Sequence, residues 1–225
     1  MPVRKLMLAG VVCAVVFAAA ALGNNVILLP GPSGTNPTVN AFRAEPFEVL
    51  GSFSAAGGAF LVIPKPDGSR FYVIARNAGS TVVVTDASLT NVIQRIDLGV
   101  EASGAGLSPD GRRLIVLAGG MRIYDATQAN LVEITPSPAP DVGVNPVDVA
   151  FSHDSSRAFI LSSASRRLTA LSLATYTVAG SVDIPGISTA VVAAPNGLLY
   201  VSAQNRIYEV DGRTMTLRGN IPLNA

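Results

Sequence analysis

The sequence lacks most of the side chains on which catalysis and metal binding depend. Its 225 residues include one His, one Cys and no Trp. This inventory leaves little room for a Ser-His-Asp triad, a Cys-His pair or a zinc site. The absence of Trp, together with only five Tyr, also weakens the case for a site that stacks on sugars. We therefore assign no catalytic residue, no metal ligand and no cofactor, and we do not expect an enzyme.

Charged residues are also scarce. Asp, Glu, Lys and Arg make up 14% of the chain, against 49% hydrophobic residues, and the formal net charge is +1. A nucleic-acid-binding protein presents a basic stripe, and a coiled coil needs far more charge, so the composition argues against both. The 21 Gly and 15 Pro are scattered along the chain, as in folds whose many short strands are joined by tight turns.

The first 23 residues have the pattern of a secretory signal peptide. Arg4 and Lys5 precede an apolar run over residues 6–22 that ends in a row of alanines, a pattern typical of such peptides. We predict cleavage after Gly23, no membrane span afterwards, and export to the periplasm, the cell surface or the extracellular space. The alternative is an uncleaved anchor, for which this run is at the short limit.

A turn motif recurs along the rest of the chain. Pro-Asp-Gly at 66–68 and 109–111, His-Asp-Ser at 153–155 and Pro-Asn-Gly at 195–197 have central residues 43, 44 and 42 positions apart. Asp-Gly and Asn-Gly pairs suit hairpin turns, because Gly adopts a positive φ without steric cost. Each unit holds four strand-like runs, which is the periodicity of propeller blades. The sequence therefore predicts an all-β fold, a β-propeller of four-stranded antiparallel blades. The predicted blades cover residues 57–99, 100–135, 146–185 and 186–222.

The predicted blades do not close into a ring. Residues 24–46 are rich in Pro and Gly and are expected to form a lead-in or linker, whereas 47–53 has the pattern of the outer strand of an earlier blade. Four blades and this leading strand make seventeen strands, which cannot close by pairing the two ends. We expect an incomplete ring whose remaining blades lie beyond Ala225. A four-bladed ring with a spare strand and a ring shared by two chains are the alternatives.

Two units carry a family resemblance. Residues 66–75 read Pro-Asp-Gly-Ser-Arg-Phe-Tyr-Val-Ile-Ala and lead to the strand Val-Val-Val-Thr-Asp that ends at Asp86; the run from Ser108 to Asp125 is similar. Over residues 47–222 the chain resembles YVTN-type β-propeller repeats. It departs from the family pattern in that three residues separate Tyr72-Val73 from Asn77, where the family usually has one. The resemblance implies a propeller of the kind shared by surface-layer proteins and lactonase-like enzymes, and a shared fold does not imply a shared function.

Strand direction sorts the loops onto two faces. The scaffold face holds the turns from first to second and from third to fourth strands, including the Asp-Gly turns, exposed His153 and the turn-capping residues Asp86, Asp125 and Asp211. The rim face holds the remaining turns and the links between blades, and it rims the central tunnel. The predicted ligand-binding residues are the polar side chains of this rim face: Arg76, Asn77, Glu101, Asp141, Asn145, Asp148, Arg166, Gln204 and Asn205.

These residues leave several functions open. We expect an exported, non-catalytic binding or interaction module whose partner is a protein or a component of the cell envelope, with no nucleic-acid partner. Self-association through an open propeller edge is a further expectation. One alternative is a lactonase-like hydrolase, in which Glu101, Asp141 and Asp148 would gather around a hard cation such as Ca²⁺. The other is a structural envelope component of a longer multidomain protein.

Overall fold

The fold is all-β, as predicted. In a computed structural model of the chain, residues 16–18, 26–30, 38–44, 47–54, 58–77, 79–88 and 91–223 are described, and they form twenty strands in five four-stranded antiparallel sheets. No helix capable of crossing a membrane is found in these ranges.

The first two sheets cover the N-terminal part of the described chain. Sheet 1 contains β1 (Val16–Ala18), β2 (Val26–Pro30), β3 (Thr38–Ala44) and β4 (Phe47–Ser54). Sheet 2 contains β5 (Gly58–Pro64), β6 (Arg70–Asn77), β7 (Gly79–Asp86) and β8 (Val92–Asp97).

The remaining sheets follow in chain order. Sheet 3 contains β9 (Ala102–Leu107), β10 (Arg113–Ala118), β11 (Met121–Asp125) and β12 (Val132–Glu133). Sheet 4 contains β13 (Pro146–Phe151), β14 (Arg157–Ser162), β15 (Arg167–Ser172) and β16 (Val178–Asp183). Sheet 5 contains β17 (Ser188–Ala193), β18 (Leu198–Ala203), β19 (Arg206–Asp211) and β20 (Thr216–Pro222).

The predicted count of seventeen strands is wrong. The segment 47–53 is the outer strand of an earlier sheet, as expected, but β1, β2 and β3 complete that sheet. β2 and β3 lie within residues 24–46, where the sequence predicted a lead-in, and β1 lies within residues 1–23. The predicted cleavage position after Gly23 is outside the described residues, so the signal peptide stays a prediction.

The four predicted turns share one hydrogen bond. The N–H groups of Gly68, Gly111, Ser155 and Gly197 each donate to the carbonyl oxygen three residues earlier, with N···O distances from 2.8 to 3.0 Å. All four residues have a positive φ, from 57° at Ser155 to 83° at Gly197. This left-handed conformation explains why Gly occupies the position in three of the four turns.

Apolar packing between consecutive sheets forms the core. In β6, residues 71–75 are all buried, because the strand is covered on both faces; such a strand shows an unbroken apolar run instead of alternation. One cluster joins Tyr72 and Val84 of sheet 2 to Leu114 of sheet 3, and two similar clusters join sheets 3 to 4 and 4 to 5. The first strands of neighbouring sheets lie side by side, and within the described residues the sheets do not close into a ring.

Close backbone approach between first strands requires glycine at one position. A Cβ on Gly104 of β9 would lie 2.7 Å from the carbonyl oxygen of Val147 in β13, which no relaxed structure tolerates. A Cβ on Gly58, in the first strand of sheet 2, would lie 3.9 Å from its nearest neighbour, the carbonyl oxygen of Arg76. The two glycines therefore differ in what they contribute to packing, although both occupy inner strands.

We expect Gly104→Ala to lower the free energy of unfolding by about 1–3 kcal/mol, because the added methyl group forces β9 and β13 apart. Gly58→Ala is the control and should cause no loss, since its methyl group makes an ordinary contact. Urea denaturation of both variants measures the difference. A Gly104→Ala protein as stable as the wild type would show that the two strands can separate freely.

Candidate functional site

Arg76 and Glu101, two predicted rim residues, come together between sheets 2 and 3. The Arg76 guanidinium stacks 3.4 Å from the centroid of the Phe60 ring, and its Nε donates to the carbonyl oxygen of Ala102 at 3.0 Å. A Glu101 carboxylate oxygen lies 3.7 Å from the same Nε. The guanidinium is therefore already held by a ring, a carbonyl and a carboxylate, and it links two sheets.

Asp141 and Asn145 lie in the link that leads into sheet 4. Asp141 accepts a hydrogen bond from the N–H of Gly143 at 2.9 Å and pairs with Arg167 at 3.0 Å. This guanidinium holds the pKa of the Asp141 carboxyl below its ordinary value. The amide nitrogen of Asn145 donates to the Ser163 hydroxyl at 2.7 Å.

Asp148 is a predicted rim residue whose carboxylate is partly buried between two sheets. Its Oδ1 accepts the N–H of Val149 at 2.9 Å, and its Oδ2 accepts the N–H of Val191 at 2.8 Å. Val191 belongs to β17, so the carboxylate bridges the first strands of sheets 4 and 5. Burial raises the pKa of Asp148, against the opposing effect of the two hydrogen bonds. Both oxygens of the carboxylate therefore already accept a backbone hydrogen bond, one from β13 and one from β17.

Three of the remaining predicted residues, Arg166, Gln204 and Asn205, lie at the surface of the rim face. The fourth, Asn77, is the last residue of β6, and Arg166 lies in the turn before β15. Gln204 and Asn205 line a small cleft of about 420 Å³ together with Tyr208 and Pro222. Ligand binding by these residues stays a prediction.

The alternative that gathers Glu101, Asp141 and Asp148 around a cation is not supported. Each carboxylate has its own separate partners, as given above. Within the described ranges, no three His, Cys, Asp or Glu side chains are placed to hold a metal ion together.

The scaffold face contains the capping carboxylates that the sequence predicted. Asp125 accepts the N–H of Thr127 at 2.9 Å, and Asp211 accepts the N–H of Arg213 at 2.9 Å, each two residues further on. In the His-Asp-Ser turn, hydrogen bonds from Ser152 and Ser156 lower the pKa of Asp154 to about 2. These carboxylates therefore stabilise turns in their charged form.

An arginine at the start of each second strand in sheets 2 to 4 reaches the following sheet. Arg70 donates to the carbonyl oxygens of Gln128 and Ala129 in sheet 3. Arg113 donates to the Tyr176 hydroxyl of sheet 4 at 2.6 Å. Arg157 donates through Nη1 to the carbonyl oxygens of Gly212 and Arg213 in sheet 5, at 3.1 and 2.9 Å. We call these three residues the inter-sheet arginines. These arginines are 43 and 44 residues apart, a regular spacing from which their common role could have been predicted.

The larger of the two described clefts lies on the scaffold face, between sheets 4 and 5. It has a volume of about 480 Å³, within the range of ligand-binding pockets. Buried Phe159 and Leu199 form its apolar floor, whereas His153, Asn196 and Arg213 are exposed at its entrance. His153 was predicted to lie in an exposed turn of this face, but the cleft beside it was not predicted.

A small residue opens this cleft at a position that a large residue fills between sheets 3 and 4. Phe151 and Ala193 are equivalent, because they pair with Ala158 and Leu199 at the same register of their sheets. Leu173 and Gly212 are equivalent too, since each N–H donates to the carbonyl of the residue just before the second strand. Phe151 and Leu173 pack into the core between sheets 3 and 4. Ala193 leaves the space of Phe151 open between sheets 4 and 5. Gly212 leaves no such space, because a Cβ on it would lie 2.9 Å from the carbonyl oxygen of Gly197 and 3.1 Å from the Phe159 ring.

Comparison with known proteins identifies the fold. No protein-family model matches the chain, and no curated protein matches it in sequence. The crystal structure of a functionally unknown protein from Desulfotomaculum acetoxidans matches with a TM-score of 0.76 and 14% identity, over 88% of this chain and 66% of that one. A chain in the crystal structure of a mitotic checkpoint complex matches with a TM-score of 0.70 and 15% identity, over 89% and 64%.

These matches and the five sheets define a β-propeller-like fold. At such low identity the likeness is one of fold alone, and the chain spans just under two thirds of the length of both structures.

The buried Asp148 bridge gives a pH-dependent stability. Because the pKa of Asp148 is raised in the folded state, the folded protein binds a proton more tightly than the unfolded chain does. Its contribution to the free energy of unfolding is therefore complete below its ordinary pKa of 3.8 and is lost as the pH rises through the raised value. We expect the stability of the wild type relative to Asp148→Asn to fall over this window.

Urea denaturation across a pH series measures this difference. Asp183→Asn, which changes an exposed carboxylate of the same sheet, is the control. A wild-type advantage over Asp148→Asn that stays constant with pH would contradict the burial of a titrating carboxylate.

Proposed function

We propose that the protein is an exported, non-catalytic interaction module of the YVTN-type propeller class, and that it binds a protein partner in the cleft between sheets 4 and 5. The cleft itself is the observation that carries the proposal. It combines an apolar floor with exposed polar groups, the arrangement typical of binding pockets. The pattern of residues 1–23 supports export.

The structural neighbours are consistent with this proposal. One of them is a chain of a mitotic checkpoint complex, a protein of similar fold that belongs to a protein assembly. Self-association through an open sheet edge stays a prediction alongside it.

A lactonase-like hydrolase finds less support. Such a site would need acid, base and cation on the rim face, and its candidate carboxylates are separately engaged by Arg76, Arg167 and the backbone of β17. No specific observation favours a purely structural envelope role over binding.

Site-specific photo-crosslinking tests the proposed binding surface. A benzoylphenylalanine residue is introduced at Pro195, which lines the cleft, in the full chain expressed in its native host. The matched control places the same residue at Pro109, the equivalent exposed turn position of sheet 3. We expect irradiation to yield a discrete protein adduct at position 195 and none at position 109, detected as a mass shift on immunoblots.

Equal adducts at both positions would indicate collision without a binding site. No adduct at position 195 would overturn the cleft as a protein-binding surface.

A further inference from the structure

Arg157 is a partly buried cation that lacks the side-chain partners of Arg113, its equivalent in sheet 3. Arg113, at the same position of sheet 3, lies 3.4 Å from the Asp125 carboxylate and donates to the Tyr176 hydroxyl. For Arg157, the residue equivalent to Asp125 is Ser172, which cannot supply a charge. No carboxylate pairs with Arg157 among the described residues.

The phenol partner is also missing. Tyr176 and Met215 are equivalent, because each N–H donates to the carbonyl oxygen of the residue that ends the third strand, and each has a positive φ near 55°. Met215 packs its side chain into the core between sheets 4 and 5. It therefore offers the Arg157 guanidinium no hydroxyl acceptor.

The Arg157 guanidinium keeps donors that the protein does not use. An arginine side chain has five N–H donors in a planar fork that matches a carboxylate. Only Nη1 donates within the described residues, to the carbonyl oxygens of Gly212 and Arg213. Nε and Nη2 remain free to donate, and the residue lines the cleft.

The charges around the cleft favour an anion. Arg213 is exposed at the entrance, and its side chain has no partner within the described part of the chain. Asp154 is the one carboxylate in the lining, and its negative charge opposes anion binding. Two guanidinium groups therefore outweigh one carboxylate, and the carboxylate accepts hydrogen bonds from Ser156 at 2.8 and 3.0 Å.

We propose that the cleft binds an acidic peptide segment of the partner, in which a carboxylate meets the free donors of Arg157 and an adjacent apolar side chain lies on Phe159 and Leu199. This inference rests on the proposed function, because it names the ligand of the same cleft. The carboxylate replaces the one that Asp125 supplies to Arg113 between sheets 3 and 4. The apolar side chain takes the space that Phe151 fills there, beside Ala193.

Labelled peptides and the purified full chain test this proposal. The probes are fluorescein-labelled Gly-Ser-Asp-Leu-Ser-Gly and Gly-Ser-Leu-Asp-Ser-Gly, both with amidated ends, and binding is followed by fluorescence polarisation. We expect replacement of Asp by Asn in the peptide to weaken binding about tenfold or more, since a hydrogen bond to a charged group is lost. Binding should also weaken as the salt concentration rises. A third probe, Gly-Ser-Asn-Leu with a free C-terminus, distinguishes a terminal carboxylate from an acidic side chain.

Variants of the protein test whether the peptide binds in the cleft. Ala193→Phe restores the large residue of the neighbouring sheet, fills the cleft and should abolish binding while leaving Arg157 intact. Arg157→Leu, which installs the residue found at this position of sheet 5, should weaken binding about tenfold or more. The matched control is Arg70→Leu, which removes an equivalent inter-sheet arginine away from the cleft and should leave binding unchanged. Circular dichroism establishes that each variant is folded.

Each result decides the proposal. Binding that requires a carboxylate and is lost in Ala193→Phe supports it, and preference for the third probe assigns the carboxylate to a chain terminus. Binding that is indifferent to the carboxylate, or unchanged in Ala193→Phe, overturns it, and so does the absence of binding by every peptide. If the adduct at position 195 still forms in either of the last two cases, the proposed function stands and the acidic ligand alone is rejected.

Discussion

The structure depends on the burial of one apolar sheet face against the next. Each four-stranded sheet is too small to bury its own side chains, so its stability comes from its neighbours, as in other repeat architectures. Ile74, Leu117 and Leu161 occupy the same position in β6, β10 and β14, and each is completely buried between its own sheet and the following one. This constraint explains why the second strands are continuous apolar runs. Polar side chains that lie between two sheets must find hydrogen-bond partners there. Asp148, Arg76, Arg70 and Arg157 therefore bind backbone atoms of an adjacent sheet, and Arg113 binds the Tyr176 hydroxyl.

The residues at a junction decide whether two sheets meet fully or leave a cleft. Both the volume of the side chains and the approach of the backbone determine the remaining space. Phe151 completes the packing between sheets 3 and 4, whereas the equivalent Ala193 does not complete it between sheets 4 and 5. A Cβ on Gly212 would lie 2.9 Å from the carbonyl oxygen of Gly197, so the backbone itself approaches closely there. The cleft is thus built into the fold and does not depend on a loop.

Sequence reasoning succeeded where structure is determined locally. The turns at Gly68 and Gly111 could be predicted because each needs a residue with a positive φ, and the Pro-Asp-Gly motif supplies it as glycine. The strands β1 to β3 were missed because sheet 1 does not carry the turn motif. The cleft was missed for a different reason. It arises where Ala193 faces sheet 4, and spacing within one repeat does not reveal what a side chain meets in the next repeat. The rim residues are polar, as a binding site requires. The sequence does not show, however, that a residue such as Asp148 already binds a partner in another sheet, here the N–H of Val191.

Repetition itself makes the unusual junction informative. In a repeat protein, equivalent positions experience the same forces, so a residue that departs from its equivalents loses stabilisation that the others keep. Sheets 4 and 5 depart at Ser172, Ala193 and Met215, and all three changes concern the surroundings of the cleft or of the Arg157 guanidinium beside it. Departures from local consistency are expected where function requires them. Unrelated losses of packing would be scattered over the junctions, and a cation left without a carboxylate would have no reason to coincide with missing volume. Their coincidence is better explained by a partner that supplies both the charge and the apolar group.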